Sequence, residues 1–470
     1  MSQWQNISLW MDQLSGSLHP RAALQADIHA DVAIIGAGYT GLWTAYYLKR
    51  QAPQLRIVIL EGEIAGFGAS GRNGGWLMGN LLGQDHLLAG QPSAARQRAY
   101  RLLHGIPDEV ASVLQREQIS CDYRKGGVLY CAARYPEQLT RLRQQLAQLR
   151  ALGLDETDYR WLTPFDLGKQ LQLANAYGAI YSPHCATIQP AKLVRGLADC
   201  VTAMGVEVYE QSRVIDWQTG RVRTAGGSVR ADWIVPAVEG YATELPPLDT
   251  YQLPVQSLLV ATEPLPKEVW ADIGLERGQA FSENSRHVTY GQRSADDRLV
   301  FGARGGYRFG GRLRHDFTLS EAERDLRRLL FSALFPPLKQ VRITHAWGGN
   351  LAMARRFRPH MLIDRRNGIA LSAGYGGEGV GASNLGGRTL ADLILDRHSE
   401  LTAQPWVLGD QPLETLPRWE PEPLRWLGYN VVAQSFSHED HVLANPHSAP
   451  WRRTMASVLA DAMQRLMRSP

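Results

Sequence analysis

Three glycines and one carboxylate carry the clearest chemistry in this chain. Gly36, Gly38 and Gly41 stand in the run Gly-Ala-Gly-Tyr-Thr-Gly, and Glu61 follows 20 residues after the last of them. That spacing suits a dinucleotide. Gly36 allows a tight turn, Gly38 lets the backbone approach a pyrophosphate, and Gly41 lets a helix pack close to a strand. The helix N-terminus, with Tyr39 and Thr40 in its first turn, attracts phosphate charge, and Glu61 accepts hydrogen bonds from ribose hydroxyls. Two more glycine-rich runs follow, GFGASGRNGGW from Gly66 to Trp76 and GYGGEGVGASNLGGR from Gly374 to Arg388. Repeated glycine in the first of these implies backbone pressed against something flat or charged.

The elements around these residues are legible from periodicity. A short apolar strand, Val32 to Ile35, leads through the glycines into a helical pattern that runs through Leu48 and closes near Pro53. A second apolar strand, Ile57 to Leu60, ends on Glu61. The late run begins as a strand at Ile369 and passes through its glycines into the helical TLADLIL, so the helix N-terminal amides are free to bind an anion. Elsewhere, Tyr123 to Cys131 reads as a strand, Glu137 to Leu152 and Ala191 to Ala203 as helices, and Val206 to Ala237 as short strands separated by turns. Leu253 to Pro264 reads as a strand, and His287 to Ala303 as a hairpin turning at Ser294 to Asp297. Ser320 and Glu323 form a capping box for a helix reaching about Leu334.

These elements predict an α/β fold in which a Rossmann-like domain is interleaved with an α+β domain built on a mixed, largely antiparallel sheet. The expected boundaries are an N-terminal arm at 1–30, the nucleotide domain at 31–90, 167–250 and 341–400, the substrate domain at 91–166 and 251–340, and a C-terminal extension at 401–470. In that extension Trp451, Met455, Val458, Leu459, Ala462, Met463 and Leu466 form an apolar helical stripe. The stripe is expected to pack on its own domain or on a second subunit rather than on a membrane surface.

Composition excludes several classes. With 44% hydrophobic and 9% aromatic residues the chain is not disordered. The formal charge is +4, and only six of its 50 cations are lysines, with no basic block, so nucleic acid is not an expected partner. No stretch of about 18 apolar residues suggests a transmembrane helix, and the N-terminus lacks a secretory pattern, so a soluble, cytoplasmic protein is expected. The four cysteines are scattered, and neither they nor the histidines show metal-ligand spacing.

Fingerprint, GFGASGRNGG and late glycine loop together resemble the D-amino-acid oxidase superfamily of FAD oxidoreductases. GFGASGRNGG, with CDYRKGGVLY at Cys121 to Tyr130, is most similar to the γ-glutamylputrescine oxidase branch. The resemblance implies that Gly68, Ala69, Ser70, Arg72, Asn73, Gly74 and Gly75 lie along FAD and that Val214 covers the adenine. It also implies that Gly374, Gly376, Gly377, Gly379 and Val380 face the flavin's pyrimidine end, where a helix N-terminus stabilises the reduced state. Trp76, Tyr290, Trp347, Tyr375 and Glu378 are the expected substrate pocket. The sarcosine-oxidase branch carries His and Lys at the positions of Glu378 and Gly381, and the Lys pairs there with a substrate carboxylate. A carboxylate and a bare glycine in their place favour an amine cation. No cysteine lies near RRFRPHMLID (355–364), the segment matching the covalent attachment site, so FAD is expected to dissociate, with His360 structural. The expected reaction is oxidation of an amine C–N bond by hydride transfer to flavin, with imine hydrolysis and dioxygen reduced to hydrogen peroxide. No catalytic acid or base is nominated. The other readings are a membrane-peripheral dehydrogenase delivering electrons to quinone and a redox-silent FAD-stabilised binding protein.

Overall fold

A computed structural model describes residues 3–468, and its backbone divides into two large sheets. In the first, strands run in the order 407–410, 360–364, 369–373, 228–236, 28–35, 57–60 and 207–209, with the hairpin 214–218/221–224 attached to 228–236. Its centre is parallel: Ile28–Ile35 lies between Ile57–Leu60 and Ser228–Pro236, with Ile35 opposite Leu60 and Pro236. The helices Tyr39–Gln51, Pro190–Ala203 and Gly379–Ile394 share one core, in which Leu42, Trp43 and Tyr46 pack with Leu193, Leu197, Leu385 and Leu390. Carboxyl ends of parallel strands and amino ends of helices therefore meet along one edge, where an α/β fold binds its nucleotide.

The second sheet runs 343–354, 252–262, 299–304, 289–293, 280–283, 128–132, 178–182 and 160–162. Its one parallel pairing is Ala280–Glu283 with Val128–Ala132, so the expected mixed, largely antiparallel sheet is what forms. The capping box is present, with the Ser320 hydroxyl accepting from the Glu323 amide and the Glu323 carboxylate accepting from the Ser320 amide.

Three expected boundaries cut across these sheets. Ile343–Ala354 was placed in the nucleotide domain but runs antiparallel beside Gln252–Thr262. Every residue of Gln252–Thr262 is buried, so its backbone needs a ladder on both edges. Gly178–Ser182, also expected in the nucleotide domain, pairs with Val128–Ala132 and Arg160–Leu162. Conversely, helices Ser93–His104 and Ile106–Arg116, expected in the substrate domain, bury Tyr100, Leu103, Ile106, Val110 and Val113 in the nucleotide-domain core.

Beyond the late helix, Val407–Asp410 adds an edge strand, and helices Leu424–Ala444 and Pro450–Arg468 pack together. Carboxylates of the first of these helices turn inward: Glu439 pairs with Arg141 and Arg286, and Asp440 with Arg134. Of the two placements expected for the apolar stripe, its own domain and a second subunit, the first does not form. Trp451, Met455, Val458, Leu459 and Leu466 are exposed, because the helix uses Ala456 and Ala460 for its buried contacts. No helix among the described residues is long and apolar enough to cross a membrane.

Candidate active site

The fingerprint glycines have no room for side chains. Gly36 has φ +105°, and a Cβ on it would sit 2.8 Å from the Ala237 carbonyl oxygen. On Gly41 a Cβ would sit 2.2 Å from the Gly36 carbonyl oxygen, which lets the helix approach the strand end. At the tip of Ile57–Leu60, Glu61 accepts from the backbone amides of Ala37 (2.8 Å) and Glu63 (2.9 Å). Its remaining lone pairs face a cavity of about 420 Å³ that runs from Glu61 past the fingerprint to the first turn of Gly379–Ile394.

Of the expected cofactor residues, Gly36, Gly38, Tyr39, Thr40, Glu61, Gly68, Ala69, Ser70, Asn73, Val214, Gly377, Gly379 and Val380 line this cavity. The others stand behind it. Gly74 and Gly75 press against Tyr290 and Gln292, and the Gly376 carbonyl accepts from Arg304. Arg72 is buried, donates from Nε to the Phe67 carbonyl (2.7 Å) and lies over the rings of Phe67 and Phe317. The N-terminal arm clamps this loop: Trp10 Nε1 donates to the Asn73 carbonyl (2.8 Å) and Ser8 Oγ to the Gly71 carbonyl (2.9 Å).

Two expected pocket residues have other roles. Trp347 is 2% exposed, donates its indole N–H to the Arg72 carbonyl (2.9 Å) and packs edge-on against Trp10, so it supports the loop from the core. An apolar residue in a two-faced strand gives no sequence signal for which face it takes. Tyr375 lines the cavity that runs from Glu61 to Gly379–Ile394, its hydroxyl hydrogen-bonded with Ser372 Oγ (2.8 Å) and Thr40 Oγ1 (3.2 Å).

Sequence reasoning missed Glu239. It follows the end of Ser228–Pro236, opposite the fingerprint, and accepts from the Gly374 and Tyr375 amides (both 3.2 Å) while lining the same cavity. Its only sequence signal is a carboxylate just past a strand end beside the fingerprint strand. Burial pushes both Glu61 and Glu239 from an ordinary 4.5 to about 7. Folded apoprotein therefore keeps protons on these two groups that the unfolded chain has lost between those values, so their contribution to stability is present below 4.5 and is lost as pH rises through 7, while burial of His104 and His360, lowered to about 4, contributes in the opposite direction over the same window. The difference in melting temperature between wild-type and Glu61→Gln apoprotein isolates the Glu61 part: relative to the variant, wild type should lose stability as pH rises from 4.5 through 7. A difference that shifts in favour of wild type over that window would contradict it.

On the other side of the late loop, Trp76 and Tyr290 meet edge-to-face at 5.9 Å, and Tyr290 shares a hydrogen bond with Ser257. Glu378 occupies the N-cap position of Gly379–Ile394, yet its side chain makes no capping hydrogen bond. Its carboxyl is raised by burial, against the Arg304 charge and a hydrogen bond from Asn80, and its own charge reaches Tyr130 and Cys185. Asn80 Oδ1 and Trp76 Nε1 are buried without a partner. A lysine at Gly381 is sterically barred, since even a Cβ there would lie 2.1 Å from the Met78 carbonyl oxygen.

No cysteine or histidine among the described residues lines the cavity. Cys121, Cys131 and Cys185 are buried free thiols, and burial raises the pKa of each. Buried His360 touches the Arg358 carbonyl. Acid precipitation should leave a white pellet and a yellow supernatant, whereas a yellow pellet would establish a covalent link. The described residues hold one His/Asp/His cluster, with Asp158 between His104 (3.2 Å) and His184 (2.9 Å). Its imidazoles stack 3.7 Å apart at 8°, so no single ion lies in both ring planes.

Residues 31–393 match the family model for FAD dependent oxidoreductases (DAO), and the chain belongs to that family. It is thus an FAD-dependent oxidoreductase, and the cleft described above fits that cofactor, held non-covalently. It is 29% identical over 385 residues to the gamma-glutamylputrescine oxidoreductase of Escherichia coli K12, covering 80% of this chain and 86% of that one. A probable oxidoreductase, OrdL, of Haemophilus influenzae is 28% identical over 390 residues, covering 80% and 85%. In fold it is similar to the glycine oxidase of Geobacillus kaustophilus, with a TM-score of 0.66 at 20% identity over 82% of this chain and 99% of that one.

Proposed function

We propose that this enzyme oxidises a C–N bond of an amine, of the γ-glutamyl-polyamine kind or a related class, and that dioxygen takes the electrons as hydrogen peroxide. One observation carries the choice of substrate: the half-buried Glu378 carboxylate accepts a hydrogen bond from Asn80, and the Asn80 Oδ1 beside it is buried without a partner, so two acceptors lie side by side. An ammonium has only donors, so it satisfies such a pair, and a substrate carboxylate does not. Trp76 and Tyr290 add aromatic surface for an alkyl chain.

In this reading the glycines from Gly36 to Gly41 and the helix behind them hold the pyrophosphate, Glu61 the ribose hydroxyls, and Val214 covers the adenine. The loop from Gly68 to Gly75 lies along the flavin, with Arg72 behind it, and the helix beginning at Gly379 points its amides at the pyrimidine end. FAD, when bound, accepts the hydride from the carbon bearing nitrogen. Glu378 holds the ammonium and, with its pKa raised by burial, is the group to which the amine passes its proton.

The test is anaerobic flavin reduction across polyamines, their γ-glutamyl derivatives, N-methyl amino acids and D-amino acids, followed by air. Bleaching by the first two groups and peroxide on reoxidation are expected. Bleaching by simple amino acids alone would overturn the role of Glu378. The exposed apolar stripe of Pro450–Arg468 supports the second reading, and flavin that recovers only with a quinone would establish it.

A further inference from the structure

Several arginines around the second sheet are paired with carboxylates. Arg286 meets Glu439 and Asp461, Arg314 meets Glu323, and Arg355 meets Glu420. Buried Arg327 has no carboxylate but donates to the carbonyls of Leu258, Glu323 and Ala303. Arg304 departs from this pattern. It ends the strand Leu299–Arg304, is half-buried, and donates only to the Gly376 carbonyl (3.2 Å) and to Met353 sulfur (3.3 Å). Among the described residues no carboxylate lies within 4.0 Å of its guanidinium. Glu378 feels the Arg304 charge but does not pair with it.

Three features place Arg304 over the site. Its Nη2 is 3.6 Å from where a Cβ on Gly377 would lie, and Gly377 lines the cofactor cavity. Its charge also reaches Tyr290, which packs on Trp76. On its outer side the C-terminal extension closes in: Tyr429 donates to the Gly305 carbonyl (3.1 Å) and feels the same charge, and Trp419 donates to the Met353 carbonyl (2.9 Å). That extension lies outside the family-matched residues 31–393. A half-buried guanidinium with donors to spare beside the cavity is free to receive an anionic group.

We propose that Arg304 receives a carboxylate of the substrate, so that the site takes an amine bearing an anionic group at some distance from the nitrogen held by Glu378. This rests on the reading of Glu378 given above. The C-terminal helices are then the outer wall of the substrate chamber, and Arg304 is a specificity residue at their seam.

Calorimetry on the holoenzyme with two dead-end ligands separates the two charges: glutaric acid monoamide, and tert-butylamine, which has no hydrogen on the carbon bearing nitrogen. Arg304→Gln is expected to weaken the monoamide about 10–100-fold, the span of a charge-assisted hydrogen bond, and to leave tert-butylamine unchanged, with Arg304→Lys recovering part of the loss. Equal weakening of both ligands, or of neither, would overturn the role of Arg304. Glu378→Gln should do the reverse. If Glu378→Gln spares tert-butylamine while Arg304→Gln still weakens the monoamide, the amine reading fails and the carboxylate anchor stands.

Discussion

Glu378→Gln is expected to lower kcat/KM for the amine substrate by about 10²–10³-fold while leaving FAD bound. The amide preserves shape and removes only charge. Breaking one partner of a buried ion pair costs about 3–5 kcal/mol, and each 1.4 kcal/mol is a factor of ten. Nothing in the cofactor cavity depends on this side chain: it makes no capping bond to the helix that follows, and it is absent from the cavity lining. The flavin content of the variant should therefore match wild type. Steady-state kinetics with a flavin-to-protein ratio decides the matter. An unchanged kcat/KM would mean that Glu378 does not meet substrate charge.

Gly41→Val is expected to give protein without FAD. A Cβ at 2.2 Å from the Gly36 carbonyl oxygen and 3.0 Å from Ile34 Cγ2 forces the helix off the strand end. Overpacking of this kind costs about 1–3 kcal/mol or more, and it acts where the pyrophosphate must lie. Gly41→Ala, with the smaller intrusion, should fold and keep a reduced fraction of flavin, so loss of cofactor is separable from loss of fold by circular dichroism. Full flavin occupancy in Gly41→Val would contradict the role given to this glycine.

How much of this was visible in the sequence differs by element. The fingerprint was legible because each of its residues answers a steric demand that only glycine meets, and because strand, helix and second strand carry different periods. The capping box and the hairpin turning at Ser294–Asp297 were legible for similar local reasons. What local pattern does not encode is sheet membership. Ile343–Ala354 reads as a strand in either domain, and only its full-length pairing with Gln252–Thr262 assigns it. Trp347 and Tyr375 were placed in the pocket as aromatic residues near glycine loops, yet Trp347 turns into the core to donate to the Arg72 carbonyl, and Tyr375 turns to the neighbouring cavity, its hydroxyl held by Ser372. Glu239, Asn80 and Arg304 were missed for the opposite reason: each is a single polar residue on or just after a strand, and what sets it apart is a neighbour distant in sequence.

The most direct measurement is titration of the apoprotein with FAD, followed by protein fluorescence and by the visible flavin spectrum. Saturation at one FAD per chain, with the bound flavin released intact on denaturation, is the predicted result. A chain that binds no FAD, or that saturates with a nicotinamide dinucleotide in its place, would contradict the assignment of the cleft between Glu61 and Val380.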